Sequence, residues 1–196
     1  MARAFVAVVP PAEVLDAVGR VSWRAVHRPR ELSLPRLISP RWTARDQWHL
    51  TVQFLGSRVD LDEAARLLAG VRAAAFTTRL GGIGGFPTAK RANVLWVGAL
   101  EGAREWDALA ATVVDAMEPV AGDPDALPFH THLTLARLGR GADLRATVAS
   151  TPRPAPIGPR WTVDRVVLFE SVTKSTGAVY REHAEIALAA PPSTGQ

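Results

Sequence analysis

At 196 residues, 47% of them hydrophobic, the chain is long enough to bury a substantial core as one compact domain. Its apolar runs fall far short of the roughly 20 residues that cross a bilayer, and the absence of cysteine excludes disulfides, thiolate nucleophiles and cysteine-based zinc sites. The net charge of +4 is carried almost wholly by arginine, with Lys90 and Lys174 the only lysines, and a planar guanidinium suits phosphate better than an ammonium does.

Residues 3–9 are valine-rich and end at Pro10-Pro11, which reads as a buried first strand rather than a signal segment, so a cytoplasmic location is expected. Pro11 suits a first helical turn, and Val14, Leu15 and Val18 predict a short helix after it. Residues 20–45 show no sustained period, hold Pro29, Pro35 and Pro40, and read as a long loop with a broken helix. That stretch carries Arg20, Arg24, Arg28, Arg30, Arg36, Arg41 and Arg45 against the single acid Glu31, so it is a candidate track for an RNA backbone.

A strand is predicted over 47–55, then a helix over 60–75 with Asp60 as its N-cap. A short strand over 76–80 leads into a glycine-rich turn over 81–87, followed by a strand over 94–97 and an amphipathic helix over 104–120 broken by Asp123-Pro124-Asp125. A strand over 129–136, a turn over 139–141 and a helix over 142–149 come next. A proline-rich link over 152–159 then leads to strands over 161–169 and 179–188, and 191–196 read as a disordered tail. This order predicts an α+β domain over 1–190 with mostly antiparallel strands.

The informative feature is a repeat. His49-Leu50-Thr51-Val52 returns 83 residues later as His132-Leu133-Thr134-Leu135, each copy in a predicted strand. Side chains at i and i+2 share a face of a strand, so each histidine points with its threonine while the aliphatic residues point into a core. Two such strands side by side would bring two imidazoles and two hydroxyls together. Histidine ionises near neutrality, so the pair can supply a general base and a general acid, and the threonines can hold a phosphate. A single His-x-Thr is ordinary strand; two matched copies are not.

These motifs resemble the 2H phosphoesterases, and among them the bacterial and archaeal RNA 2',3'-cyclic phosphodiesterases once called 2'-5' RNA ligases. The matching text is His49-Leu-Thr-Val-Gln-Phe-Leu-Gly56, Asn93-Val-Leu-Trp-Val-Gly98, Phe129 to Arg137, and Leu168-Phe-Glu-Ser171 followed by Gly177 and Tyr180. The resemblance implies a bilobal α+β fold with pseudo-two-fold symmetry, a groove between two small antiparallel sheets, and helices outside. It implies metal-independent opening of a terminal RNA or nucleoside 2',3'-cyclic phosphate to a 2'-phosphate; no cofactor and no obligate protein partner are expected, and a monomer is expected although no sequence feature fixes the oligomeric state. His49 and His132 would be catalytic, with His132 leaned on as base and His49 as acid although the motifs are symmetric. Thr51 and Thr134 would bind nonbridging oxygens, Phe54 would stack on the base, and Arg137 would contact phosphate or ribose. Strand parity alone puts Phe54 and Arg137 on the face away from the histidines, so a twist or strand end must bring them round. Tyr180, the single tyrosine, reads as a core or rim residue.

Two departures bear on substrate choice more than on reaction type. His130-Thr131 stands where relatives often have Pro before the second histidine, and the segment before His49 is long. By parity His130 shares the face of His132 and would line or rim the groove. Alternatives of other kinds are a non-catalytic RNA-end-binding module of the same fold, or action on 2',5'-linked or small cyclic nucleotides. A zinc hydrolase built on His49, His130, His132 and His183 lacks the usual ligand spacing. The glycines of 81–85 lack the Gly-Lys-Ser/Thr of a phosphate loop.

Overall fold

The computed structural model describes residues 2–35, 40–122, 129–150, 155–174 and 177–190. The predicted break at 123–125, the tail 191–196, Arg36 and part of the 152–159 link lie outside them. The described residues form nine strands: β1 (Ala2–Val8), β2 (Arg41–Trp42), β3 (Leu50–Val59), β4 (Phe76–Phe86), β5 (Ala92–Glu101), β6 (His132–Ala142), β7 (Pro156–Val163), β8 (Arg165–Lys174) and β9 (Gly177–Ala187). Among the same residues four helices accompany them: α1 (Ala12–His27), α2 (Leu61–Ala69), α3 (Ala103–Met117) and α4 (Arg145–Ala149).

The named strands pair antiparallel in the order β7-β4-β5-β6-β3-β1-β8-β9, with β2 added on β6. The order is symmetric about its centre. A half made of β9, β8, β1 and β3 meets a half made of β6, β5, β4 and β7 through one register pair, Leu50 opposite Leu133. The two leucines that unite the halves are the second residues of the two repeats. Helices α2 and α3 pack against the first half, α1 and α4 against the second. Leu50 and Leu133 are fully buried in the same core as Val14, Leu68, Trp106 and Val113 from α1, α2 and α3. Alternation along each strand therefore turns the neighbouring His and Thr side chains to the uncovered face.

Several expectations are corrected. The first helix runs on to His27, because Val14, Ala17, Val18 and Ala25 supply a continuous buried stripe and Pro29 is the first residue to stop it. The rest of the expected loop holds short 3-10 turns, Pro29–Leu32 and Arg45–Gln47, and the strand β2. Asp60 does cap α2, its carboxylate accepting from the backbone N–H groups of Asp62 and Glu63, but that helix ends at Ala69. The turn expected over 81–87 is strand: β4 continues to Phe86, and its glycines make room for side chains of β5 lying across them. A Cβ placed on Gly84 would stand 2.2 Å from the Trp96 ring. Likewise β6 continues through 139–141, with Ala142 paired to Ala92. The single strand expected over 161–169 is two. β7 takes in Pro156 and Pro159 at the outer edge, where missing N–H groups cost no ladder bond, and Asp164 separates it from β8 in the other half.

Gly84→Ala tests the packing of Trp96. Filling a glycine gains about 0.4–1 kcal/mol by restricting the unfolded chain, whereas overpacking of this severity costs about 1–3 kcal/mol. A net loss of stability in urea unfolding is expected; unchanged or raised stability would show that Trp96 does not lie across this glycine.

Candidate active site

The uncovered face forms a groove of about 540 Å³ between the halves. All six residues singled out from the sequence line it: His49, Thr51 and Phe54 from the first half, His132, Thr134 and Arg137 from the second. Antiparallel geometry about the Leu50–Leu133 pair sets His49 across from Thr134 and Thr51 across from His132. Each imidazole thus stands beside the other motif's hydroxyl.

A bulge in each strand explains how Phe54 and Arg137 reach this face. On β3, Gln53 pairs with Val6 and Thr51 with Ala7, which leaves Val52 as an extra residue. On β6, Ala136 pairs with Leu95 and Thr134 with Trp96, which leaves Leu135 extra. Val52 and Leu135 occupy the same place, three residues after their histidine. One extra residue reverses the alternation beyond it. The buried positions on β6 accordingly shift from Leu133 and Leu135 to Ala136 and Leu138. Phe54 and Arg137 consequently come round to the groove, and Phe54 is half exposed there.

Both imidazoles are anchored alike. His49 Nδ1–H donates to the Gln47 carbonyl at 2.8 Å, and His132 Nδ1–H donates to the His130 carbonyl at 2.7 Å. That arrangement fixes the neutral tautomer with Nε2 as the free acceptor. Burial pushes His49 down to about pKa 4, helped by the nearby charges of His132 and Arg137 and opposed by its backbone hydrogen bond. His132 is held below the ordinary imidazole range, first by burial and then by the charges of His130 and Arg137, against its own backbone hydrogen bond.

The walls differ. Phe5 stacks on His49 at 4.8 Å, Tyr180 meets it edge-on at 5.2 Å, and both line the groove with Phe54, 6.0 Å from Phe5. Tyr180 is therefore a groove residue. The second half contributes Arg41 and Arg137, while Phe86, 4.9 Å from His132, supports that ring outside the groove lining. His130 does not line the groove as parity suggested. Its ring packs on Trp96 at 4.7 Å and on Phe86 at 5.4 Å, and its contribution is the carbonyl that orients His132. His183 lies against Asp62, 3.3 Å away and outside the groove lining, so the four histidines of the zinc alternative do not converge.

Sequence reasoning missed Gln47, Arg3 and Trp42 as groove residues. Gln47 does two things: its carbonyl holds His49, and its side-chain amide donates to the Ala178 carbonyl at 2.6 Å, tying the start of β3 to β9. No side-chain signal marks it, because the orienting atom is main chain.

The family model that matches residues 18–174 is that of the 2'-5' RNA ligase superfamily. The chain belongs to this superfamily. A relative from Aeropyrum pernix named RNA 2',3'-cyclic phosphodiesterase is 34% identical over 112 residues, covering 56% of this chain and 64% of that one. An Escherichia coli K12 relative of the same name is 33% identical over 137 residues, 69% of this chain and 71% of that one. Among solved structures, TT0787 of Thermus thermophilus aligns with a TM-score of 0.73 at 28% identity, covering 96% of this chain and 98% of that one. E. coli LigT complexed with 3'-AMP aligns with a TM-score of 0.71 at 27% identity, covering 95% and 98%. These solved structures thus share the antiparallel α+β architecture described above.

The anchored, desolvated imidazoles give a direct test. Followed by NMR, His49 should remain neutral until the pH falls to about 4, and His132 should protonate below 6.5, with both midpoints rising when inorganic phosphate is added. Midpoints at or above 6.5 in the free protein would contradict the burial of these rings.

Proposed function

We propose that this protein hydrolyses RNA or nucleoside 2',3'-cyclic phosphate ends to 2'-phosphates by a metal-independent, two-histidine mechanism. The observation that carries the reading is the crossed arrangement of two tautomer-fixed imidazoles and two threonine hydroxyls in one groove. The names of the curated relatives agree with it.

In the proposed reaction His132 Nε2 takes a proton from water as its oxygen attacks phosphorus, and the bond to the 3' oxygen breaks. The departing 3' oxygen takes its proton from His49. The hydroxyls of Thr51 and Thr134 donate to the nonbridging oxygens, where charge grows in the transition state. The assignment of roles follows the walls: Phe5 and Tyr180 pack on His49 and Phe54 lies against Phe5 on the same half, so a stacked base and its ribose place the leaving oxygen on that half and leave the other to water. Both rings are neutral in the free groove. The anionic phosphate beside His49 raises its pKa so that it can hold the proton the acid role needs. The protein acts as a monomer in this reading, and its site residues are contained in one chain.

An RNA-end-binding module would use the same groove without needing both histidines. His49→Ala and His132→Ala should each lower turnover of a nucleoside 2',3'-cyclic phosphate at least about 10²-fold, with circular dichroism and unfolding midpoint little changed. The double variant should be scarcely worse than either single one, because the pair works as a unit. Near-normal turnover by either single variant would remove the two-histidine mechanism.

The product separates the remaining alternatives. A nucleoside 2'-monophosphate is expected, resolved from the 3' isomer by chromatography, at an undiminished rate in excess EDTA. Recovery of the 3'-phosphate, or activity that depends on added zinc, would place the protein in another class.

A further inference from the structure

The groove holds more positive charge than one cyclic phosphate requires. Arg41 and Arg137 are cross-strand partners on β2 and β6, and both line the groove. Like charges directly opposite each other on one face destabilise a strand pair. Several arginines outside the groove have carboxylate partners, Arg28 with Glu31, Arg45 with Asp16, Arg160 with Glu101 and Arg165 with Asp164, and Arg3 adds a third guanidinium to the groove lining from β1. Among the described residues no carboxylate pairs with Arg41 or Arg137. Two opposed, unneutralised guanidiniums facing a groove make a site for an anion.

Their place is fixed rather than left to a loose loop. Trp42 pairs with Ala136, and the Thr43 N–H donates at 2.9 Å to the Leu135 carbonyl, the residue of the β6 bulge. Arg45 then ties the following turn to α1 through Asp16 and the Ala12 carbonyl. Register also gives the direction. Along β3 and β6 the histidines flank the Leu50–Leu133 pair, Phe54 lies beyond them at one end, and Arg137 with Arg41 at the other.

We propose that Arg41, with Arg137, forms an upstream subsite that binds the phosphodiester joining the terminal nucleotide of an RNA to the one before it, so that the preferred substrate is an oligoribonucleotide end rather than a mononucleotide. This rests on the function proposed above. Among the described residues of the arginine-rich stretch before His49 it singles out Arg41, since Arg20, Arg24, Arg28, Arg30 and Arg45 are absent from the groove lining and Arg28 and Arg45 are engaged in ion pairs.

The test compares adenosine 2',3'-cyclic phosphate with a short oligoribonucleotide ending in 2',3'-cyclic phosphate, for the wild type, Arg41→Gln, Arg41→Lys and, as control, Arg45→Gln. The wild type should favour the oligonucleotide in kcat/KM. Arg41→Gln should reduce that preference at least about fivefold, chiefly through KM, and should flatten the salt dependence of oligonucleotide binding by about 0.7 log units per log unit of salt. Arg41→Lys should restore part of the salt slope, and Arg45→Gln should leave the preference unchanged. Equal losses for both substrates, or none for either, would overturn the subsite. Oligonucleotide affinity is read in parallel by fluorescence anisotropy. Wild-type protein that turns over neither substrate would refute the functional reading, whereas unaltered affinity in Arg41→Gln would refute this one.

Discussion

The antiparallel contact between β3 and β6, where Leu50 faces Leu133, places the chemistry of the groove. Both leucines are fully buried, so the pairing is held by the core beneath it and not by the polar groups above. A shift of one residue by either strand would turn that strand's histidine and threonine into the core and its leucine out of it. Burying those two polar side chains without partners is costly, and so the hydrophobic face dictates where the polar face stands.

Two further constraints refine that placement, and each occurs twice. The bulges at Val52 and Leu135 change which side of the strand faces the groove, and so allow a motif residue and a residue five positions later to act together. The carbonyls of Gln47 and His130, each two residues before its histidine, settle which ring nitrogen carries the proton. Side-chain motif, bulge and main-chain acceptor form one structural unit, used once in each half. The two units meet head to tail, which is why each imidazole lies by the other's threonine.

The environment of the groove is electrostatically unbalanced in its free state. Burial and the charge of Arg137 keep the imidazoles neutral, and the guanidiniums of Arg41 and Arg137 face one another without a described acid between them. An anion answers both conditions: it neutralises the guanidiniums and makes a proton on an imidazole acceptable. Binding and proton placement are in this way coupled through the same charges. The aromatic rings of Phe5, Phe54 and Tyr180 set one side of the groove apart from the side of Arg41 and Arg137.

The sequence by itself determined which residues meet in the groove: the repeated His-Leu-Thr-aliphatic text, the α+β class, the Asp60 cap and the six groove residues could all be read from residue type, spacing and family likeness. Those signals are local or are copied in the chain. Local reading also erred where a neighbour decides the outcome. The glycines from Gly81 to Gly85 look like a turn but form strand, because Trp96 and Leu144 lie where the side chains of Gly84 and Gly85 would be. Parity put Phe54 and Arg137 on the wrong face, because a bulge is a relation between two strands and leaves no mark in one. Only the tertiary structure decided that Gln47 and His130 serve through their carbonyls and that His130 leaves the groove. It also decided that Arg41, alone among the described arginines of its stretch, pairs across from Arg137. Each of these depends on main-chain atoms or on contacts distant in the chain, and none is written in the identity of a side chain.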